Sequence, residues 1–309
     1  VIIGVCSLSG APGVTSVAAA LAACWPVTPL SVPVLVEADA SGGDMAVWHR
    51  RRVERGLGSL AAASRRSNPQ AEQGDNPLLD HAEQVAGCVP TVMAETAAPT
   101  CASAIYELAH HPALLRSGGV AVVDVGRISP RTAGSYLLWH ADAVVVSVRE
   151  DPAQLGRLAA CAPGLARLEE AGIRVGACVV DRARCFSDRE IAEQTQMPVW
   201  ARMPHDPLGA AFVRGEALPA GRGWWARARG WLRERRDITP VEWLPLMQAA
   251  RGLAERLEEL GERTPAWEPT SEQRVGAPVD EESAAPAPQE PVALMPTAPC
   301  PVTEQGRAA

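Results

Sequence analysis

Short runs of β-branched and apolar residues recur along this chain, and they are apolar at consecutive positions: Val1–Cys6, Val32–Val36, Cys88–Met93, Val120–Val125, Ala143–Val148, Ile173–Val180 and Val199–Met203. A strand with one wet face alternates apolar and polar residues, whereas a strand covered on both faces does not. Helical patterns separate them at Thr15–Ala23, Cys101–Leu115, Ala153–Ala171 and Ser187–Gln194, the last opened by Ser187 as a cap with Glu190 three residues on. Strand, helix and strand repeated in this way predict an α/β fold: a doubly wound, mostly parallel sheet with helices on both faces.

That rhythm predicts one domain over residues 1–260, broken by a polar surface loop at 64–77 and an insertion at 221–237. The stretch 264–309 carries nine prolines with alanine and glutamate and no periodicity, so it is expected to stay disordered. It also carries seven acids against Arg274 and Arg307, which accounts for most of the net charge of −7. The body is therefore nearly balanced, and DNA contact is not expected. Eight cysteines stand singly without a C-x-x-C pair, as reduced thiols do, and the six histidines show no H-E-x-x-H spacing. With no charged leader and no bilayer-length apolar run, the expected location is the cytoplasm.

The first strand runs into Ser9-Gly10-Ala11-Pro12-Gly13-Val14-Thr15-Ser16, where Thr15 opens a helix. Glycines at a strand-to-helix turn leave amide hydrogens and the positive helix end facing an anion. A hydroxyl at Thr15 would reach a magnesium ion bridging two phosphates; alternatively it is a helix cap on a tight turn. A phosphate-binding loop ordinarily adds a lysine, yet all 29 basic residues of this chain are arginine.

Two further strands end in carboxylates, Glu37-Ala38-Asp39 and Val122-Val123-Asp124, at the edge where open sheets bind ligands. Late in the chain comes Met203-Pro204-His205-Asp206-Pro207. With these segments in this order, the chain resembles the ParA/MinD family of P-loop ATPases over residues 1–220 and a closing helix near 241–260.

The resemblance implies ATP with Mg2+, bound by a nucleotide-dependent homodimer. It places Gly10, Ala11, Gly13, Val14, Thr15 and Ser16 around the phosphates, and Asp181, Pro204 and Asp206 on the base side. It gives Thr15, Asp39 and Asp124 to the metal, and Asp39 and Asp124 to the attacking water.

The departures bear on activity. Ser9 and Val14 stand where that family has lysines, Ala11 replaces a glycine, Pro12 removes an amide donor, and Glu37 replaces the first Asp of D-x-D. A charge-assisted contact of the lysine type is worth about 1.5–3 kcal/mol, and charge counts most where it builds up in the transition state. Slow hydrolysis or none is therefore expected, unless an arginine compensates; Arg127, three residues past Asp124, is the candidate, with Arg131 and Arg149 behind it. Asp181 occupies the place of a base-reading Asn and accepts without donating as an amide would, so GTP stays open beside ATP.

In the insertion, Trp224, Trp225, Ala228, Trp231 and Leu232 fall on one helical face, with Arg229, Arg233 and Arg236 opposite and Arg235 intruding on the apolar side. Such a helix suits an anionic membrane surface or a membrane-protein partner, which would make the protein peripheral at the inner face of the cell membrane; folding back onto the domain is the other reading. The function expected is a nucleotide-responsive positioning or assembly factor. The alternative is a pseudo-ATPase scaffold of the TadZ/CpaE kind that recruits a membrane pilus, secretion or conjugation machine. A ligase or kinase resembling dethiobiotin synthetase trails, because no small-substrate motif accompanies it.

Overall fold

The computed structural model describes residues 1–10, 13–27, 32–66, 77–85, 89–116, 119–129, 132–181, 185–216 and 243–262, all within the unit Val1–Pro265. Residues 67–76 of the expected loop, the insertion 221–237 and the tail 264–309 lie outside the described residues.

Among the described residues, the strands are β1 (Ile2–Ser7), β2 (Pro33–Glu37), β3 (Glu83–Gln84), β4 (Pro90–Val92), β5 (Val120–Arg127), β6 (Ala143–Arg149), β7 (Arg174–Asp181) and β8 (Val199–Pro204). They form one sheet in the order β3-β4-β2-β5-β1-β6-β7-β8. All pairings are parallel except β3 with β4. The two-residue β3 is too short for any periodicity to announce it. The apolar runs land as expected on strands, and β1 and β2 are buried along their whole length.

Successive side chains serve opposite faces, which is why consecutive positions had to be apolar. Ile2, Val34, Val36 and Val144 join one core cluster, while Ile3, Leu35, Val122 and Val145 join the other. Each buried Val, Leu or Ile contributes about 1.5–3 kcal/mol relative to exposure.

The second face is covered by α1 (Val14–Cys24) and the closing helix, which follows α2 (Met45–Trp48), α3 (Leu57–Ser64), α4 (Ala98–His110), α5 (Ala113–Arg116), α6 (Ala133–Leu138), α7 (Pro152–Glu170), α8 (Asp188–Thr195) and α9 (Pro207–Val213) and is α10 (Pro245–Glu262). Ala18, Ala19, Ala20 and Ala22 of α1 are fully buried, and their small side chains let α10 and β5 approach closely. Leu57 and Leu60 of α3, Ile105 of α4, and Leu155 and Leu158 of α7 cover the first face.

One helix expectation needs correction. The pattern Cys101–Leu115 is two helices, broken at His111, whose φ of −128° and ψ of 64° are not helical. Pro112 explains the break, since a proline disfavours the α conformation in the residue before it and has no amide hydrogen to donate. The capping box at Ser187 and Glu190 is present as read from the sequence.

Candidate functional site

The strand order puts β1 between β5 and β6 with β2 beyond β5, so the C-terminal ends of β1, β2 and β5 share one edge with the start of α1. Gly13 turns the chain into that helix at φ 78°, a left-handed conformation that favours glycine, and the first helical bond runs from the Val17 amide to the Gly13 carbonyl. The amides of Val14, Thr15 and Ser16 come before it, and no side chain caps this end. Val14 is buried in the core cluster with Val5 and Val145, so only its backbone faces the loop. Gly10 is exposed, and a Cβ added there would meet nothing within 4 Å. Neither packing nor backbone strain demands glycine at that position. Ala11 lies outside the described residues.

Asp124 sits under this corner, 1% exposed. The register of β1 against β5 slips by one residue here, from Val5 opposite Asp124 to Cys6 opposite Gly126. Such bulges re-aim side chains next to sites. Asp124 Oδ1 accepts from the Gly126 amide at 3.0 Å, while Oδ2 is buried without a hydrogen-bond partner among the described residues. Burial pushes its pKa up from 3.8 to about 7, against a hydrogen bond from the Thr15 hydroxyl and with help from the negative charges of Glu37 and Asp39. A buried carboxylate with one orphaned oxygen lacks a positive partner.

Asp39 joins the group from the end of β2. Its Oδ1 accepts from the Ser41 amide at 2.8 Å and from the Ser41 hydroxyl at 2.6 Å, and its Oδ2 lies against Gly126. Glu37, two residues earlier, is engaged elsewhere. Oε1 accepts from the amides of Asp44 and Met45, and Oε2 from that of Ala94. It fastens the end of β2 to the start of α2 and to the chain after β4.

Thr15, Asp39 and Asp124, separated widely in sequence, therefore meet at one corner. Arg127 ends β5 opposite Ser7 and is exposed. On the base side, Asp181 at the end of β7 pairs in register with Pro204 at the end of β8, and the Asp181 side chain lies outside the described residues. Asp206 caps α9 by accepting from the Leu208 and Gly209 amides, and its other oxygen accepts from Leu246 at the start of α10. Both of its oxygens thus hold backbone.

The chain overlays a ParA family ATPase from Chlorobium tepidum TLS with a TM-score of 0.59 at 16% identity, covering 83% of this chain and 98% of that one. The fold is that of the ParA/MinD ATPases. The septum site-determining protein MinD from Pyrococcus horikoshii OT3, solved with Mg-ADP, gives 0.59 at 15% identity over 84% of this chain and 96% of that one. A substituted Cyanothece McdA in complex with ATP gives 0.53 at 12% identity over 86% and 98%. No family model matches the sequence, and no curated protein matches it either. The likeness to ParA/MinD structures is one of fold, and the corner of Thr15, Asp39 and Asp124 is what this chain's own residues add to it.

One contact at the β1–α1 loop was not legible in the sequence. Arg157, on α7, donates from Nη1 to the Ser9 hydroxyl at 2.8 Å. By pattern Arg157 is an exposed charge flanking the buried Leu155 and Leu158, and nothing in its spacing points to residues 148 positions earlier.

Proposed function

We propose that this chain is a nucleotide-responsive positioning or assembly factor that binds ATP with Mg2+ at the β1–α1 corner. The observation that carries this reading is Asp124: a buried carboxylate, one oxygen orphaned, beside the Thr15 hydroxyl and below uncapped amides at the start of α1. That donor set fits Mg2+, which takes hard oxygen ligands and completes its shell with phosphates and water. Among the described residues, no cluster of three or more His, Cys, Asp or Glu side chains is placed to hold a metal ion. Thr15 and Asp124 would hold the metal, with Asp39 beside them. Bound there, the ion would offset the charge of the phosphates.

The chain's own groups do the rest. The amides of Val14, Thr15 and Ser16 orient the phosphates, and Gly10 gives room for their approach. Asp39, fixed by Ser41 and Gly126, is placed to orient water. The base side would lie at the ends of β7 and β8, where Asp181 pairs in register with Pro204 and Asp206 caps α9. Turnover is slow or absent, because the position of the phosphate lysine is Val14, whose side chain is packed in the core. Nucleotide bridges a homodimer, and the insertion 221–237 meets an anionic membrane surface or a membrane-protein partner. Among the described residues no helix is long and apolar enough to cross a membrane.

Titration with labelled ATP and GTP, with and without Mg2+, tests this reading. Mg2+-dependent binding is expected, with phosphate release slow and raised by anionic vesicles. No binding at high micromolar nucleotide overturns the nucleotide site and favours the scaffold of the TadZ/CpaE kind.

A further inference from the structure

We infer that Arg157 supplies, from a neighbouring helix of the same chain, the positive charge that the phosphate loop itself lacks. The inference rests on the nucleotide site proposed above and adds a residue to it. Ser9 and Val14 stand where the resemblance puts lysines; Val14 is turned into the core, but Ser9 carries the Arg157 guanidinium on its hydroxyl.

The arrangement is built from both sides. Ser9 is 6% exposed, and its carbonyl accepts from the Ser7 hydroxyl at 2.9 Å, which fixes the loop as it leaves β1. The start of α7 is fixed as well: Asp151 caps it through the Ala153 and Gln154 amides, and Gln154 Oε1 accepts from the Arg149 amide at the end of β6. Leu155 and Leu158, on either side of Arg157, are buried in the core. With its backbone anchored, the Arg157 side chain spans from helix to loop.

Its partner there is informative. Arg157 is exposed on its helix, and among the described residues no carboxylate pairs with it; the guanidinium rests on the neutral Ser9 hydroxyl. Its charge is therefore not neutralised by the protein at a loop whose other groups are an uncapped helix start and an open glycine. A guanidinium has five donors in a planar fork, and one bond to Ser9 leaves that fork suited to phosphate oxygens. Arg157 is a phosphate-binding residue on this reading, and the Ser9 hydroxyl positions it.

The test is calorimetric titration of the full chain, wild type and Arg157→Ala, Arg157→Lys and Arg157→Gln, with ATP·Mg2+ and with adenosine. Arg189→Ala on α8, whose exposed partner is Glu193, controls for net charge. Arg157→Ala and Arg157→Gln are expected to weaken ATP roughly tenfold to a hundredfold, with Arg157→Lys between them and wild type. The ratio of ATP to adenosine affinity should fall in step, which a merely structural arginine would not cause. Wild-type binding of ATP with equal affinity in Arg157→Ala overturns the role of Arg157 and leaves the nucleotide site standing. Absence of ATP binding by wild type overturns both.

Discussion

The carboxylate of Asp39 rests on the α-carbon of Gly126: a Cβ built at Gly126 would stand 2.0 Å from Asp39 Oδ2 and 2.2 Å from its Cγ. Gly126 is also at φ 65°, so a side chain there is opposed by its own backbone as well as by Asp39. Its amide meanwhile donates to Asp124, so the one residue spaces the two acids of the candidate site. Gly126→Ala should destabilise the fold by about 2–4 kcal/mol in urea titration and displace Asp39 from the corner. Asp39→Ala relieves the clash with the carboxylate but leaves the residue 39 Cβ 2.8 Å away and the positive φ in place, so the double variant should be somewhat less destabilised than the sum of the singles.

Asp124 makes stability depend on pH in a particular direction. Burial raises its pKa from 3.8 to about 7, so between those values the folded chain keeps a proton that the unfolded chain has released. The contribution of Asp124 to stability is therefore most favourable below the lower value and falls as pH rises through the window to about 7. Asp124→Asn should flatten this slope in thermal melts from pH 4 to 8 and raise the melting temperature at pH 8. Glu37, also raised by burial despite amides from Met45, Ala94 and Asp44, leaves part of the slope in place. An unchanged profile in Asp124→Asn would contradict the assignment.

Glu37 has a structural task that its sequence position disguises. Three backbone amides share its two oxygens at 2.7–2.9 Å, and a Cβ at Gly43 would come within 2.6 Å of Oε2. Glu37→Ala strands the buried Met45 and Ala94 amides and the part-buried Asp44 amide and should cost about 3–5 kcal/mol, with Glu37→Gln milder because one acceptor oxygen remains. Glu37→Asp would match the D-x-D of the resembled family, yet it shortens the reach by one carbon. It is expected to destabilise by about 1–3 kcal/mol without raising ATP affinity, as read by chemical denaturation and titration.

What was legible in the sequence follows from what is local. Consecutive apolar residues such as Val34–Val36 or Val144–Val146 suit strands covered on both faces, and their alternation with helical patterns made the parallel sheet legible. The Ser187 box could be read because its two partners lie three residues apart. Asp39 and Asp124 were legible because strand ends on a parallel sheet share an edge whatever the exact register. Against the resemblance Glu37 was only a departure from D-x-D, and its three amide bonds depend on where α2 and the chain after β4 come to lie. Arg157 was invisible for the same reason, since its partner is set by how α7 docks on β6. Pro112, by contrast, was a local signal within the Cys101–Leu115 pattern, and it outweighs the helical periodicity around it.

At the far side of the sheet, Arg202 of β8 and Glu150 after β6 form an ion pair at 3.2 Å, with side chains 12% and 3% exposed. Burial pushes the Glu150 carboxyl up, but the amides of Phe186 and Cys185 and the Arg202 guanidinium outweigh it and hold the group below the ordinary carboxylate value. Arg202 also donates to the Phe186 carbonyl at 2.6 Å and to Asp188, so it binds β8 to the segment that leads into α8. Asp188 is half exposed and adds little to stability. Removing the arginine leaves a buried acid without its cation, and Arg202→Met should cost about 3–5 kcal/mol near neutral pH. Arg202→Met with Glu150→Gln should recover much of that loss, because neither charge then needs burying. A depressed folded-state pKa stabilises above the unfolded value and loses that contribution as pH falls, so the gap between wild type and Arg202→Met should narrow below about pH 4. Urea titrations of the three proteins at pH 7 and pH 3.5 check this, and a gap that stays constant with pH would assign the loss to packing rather than to charge.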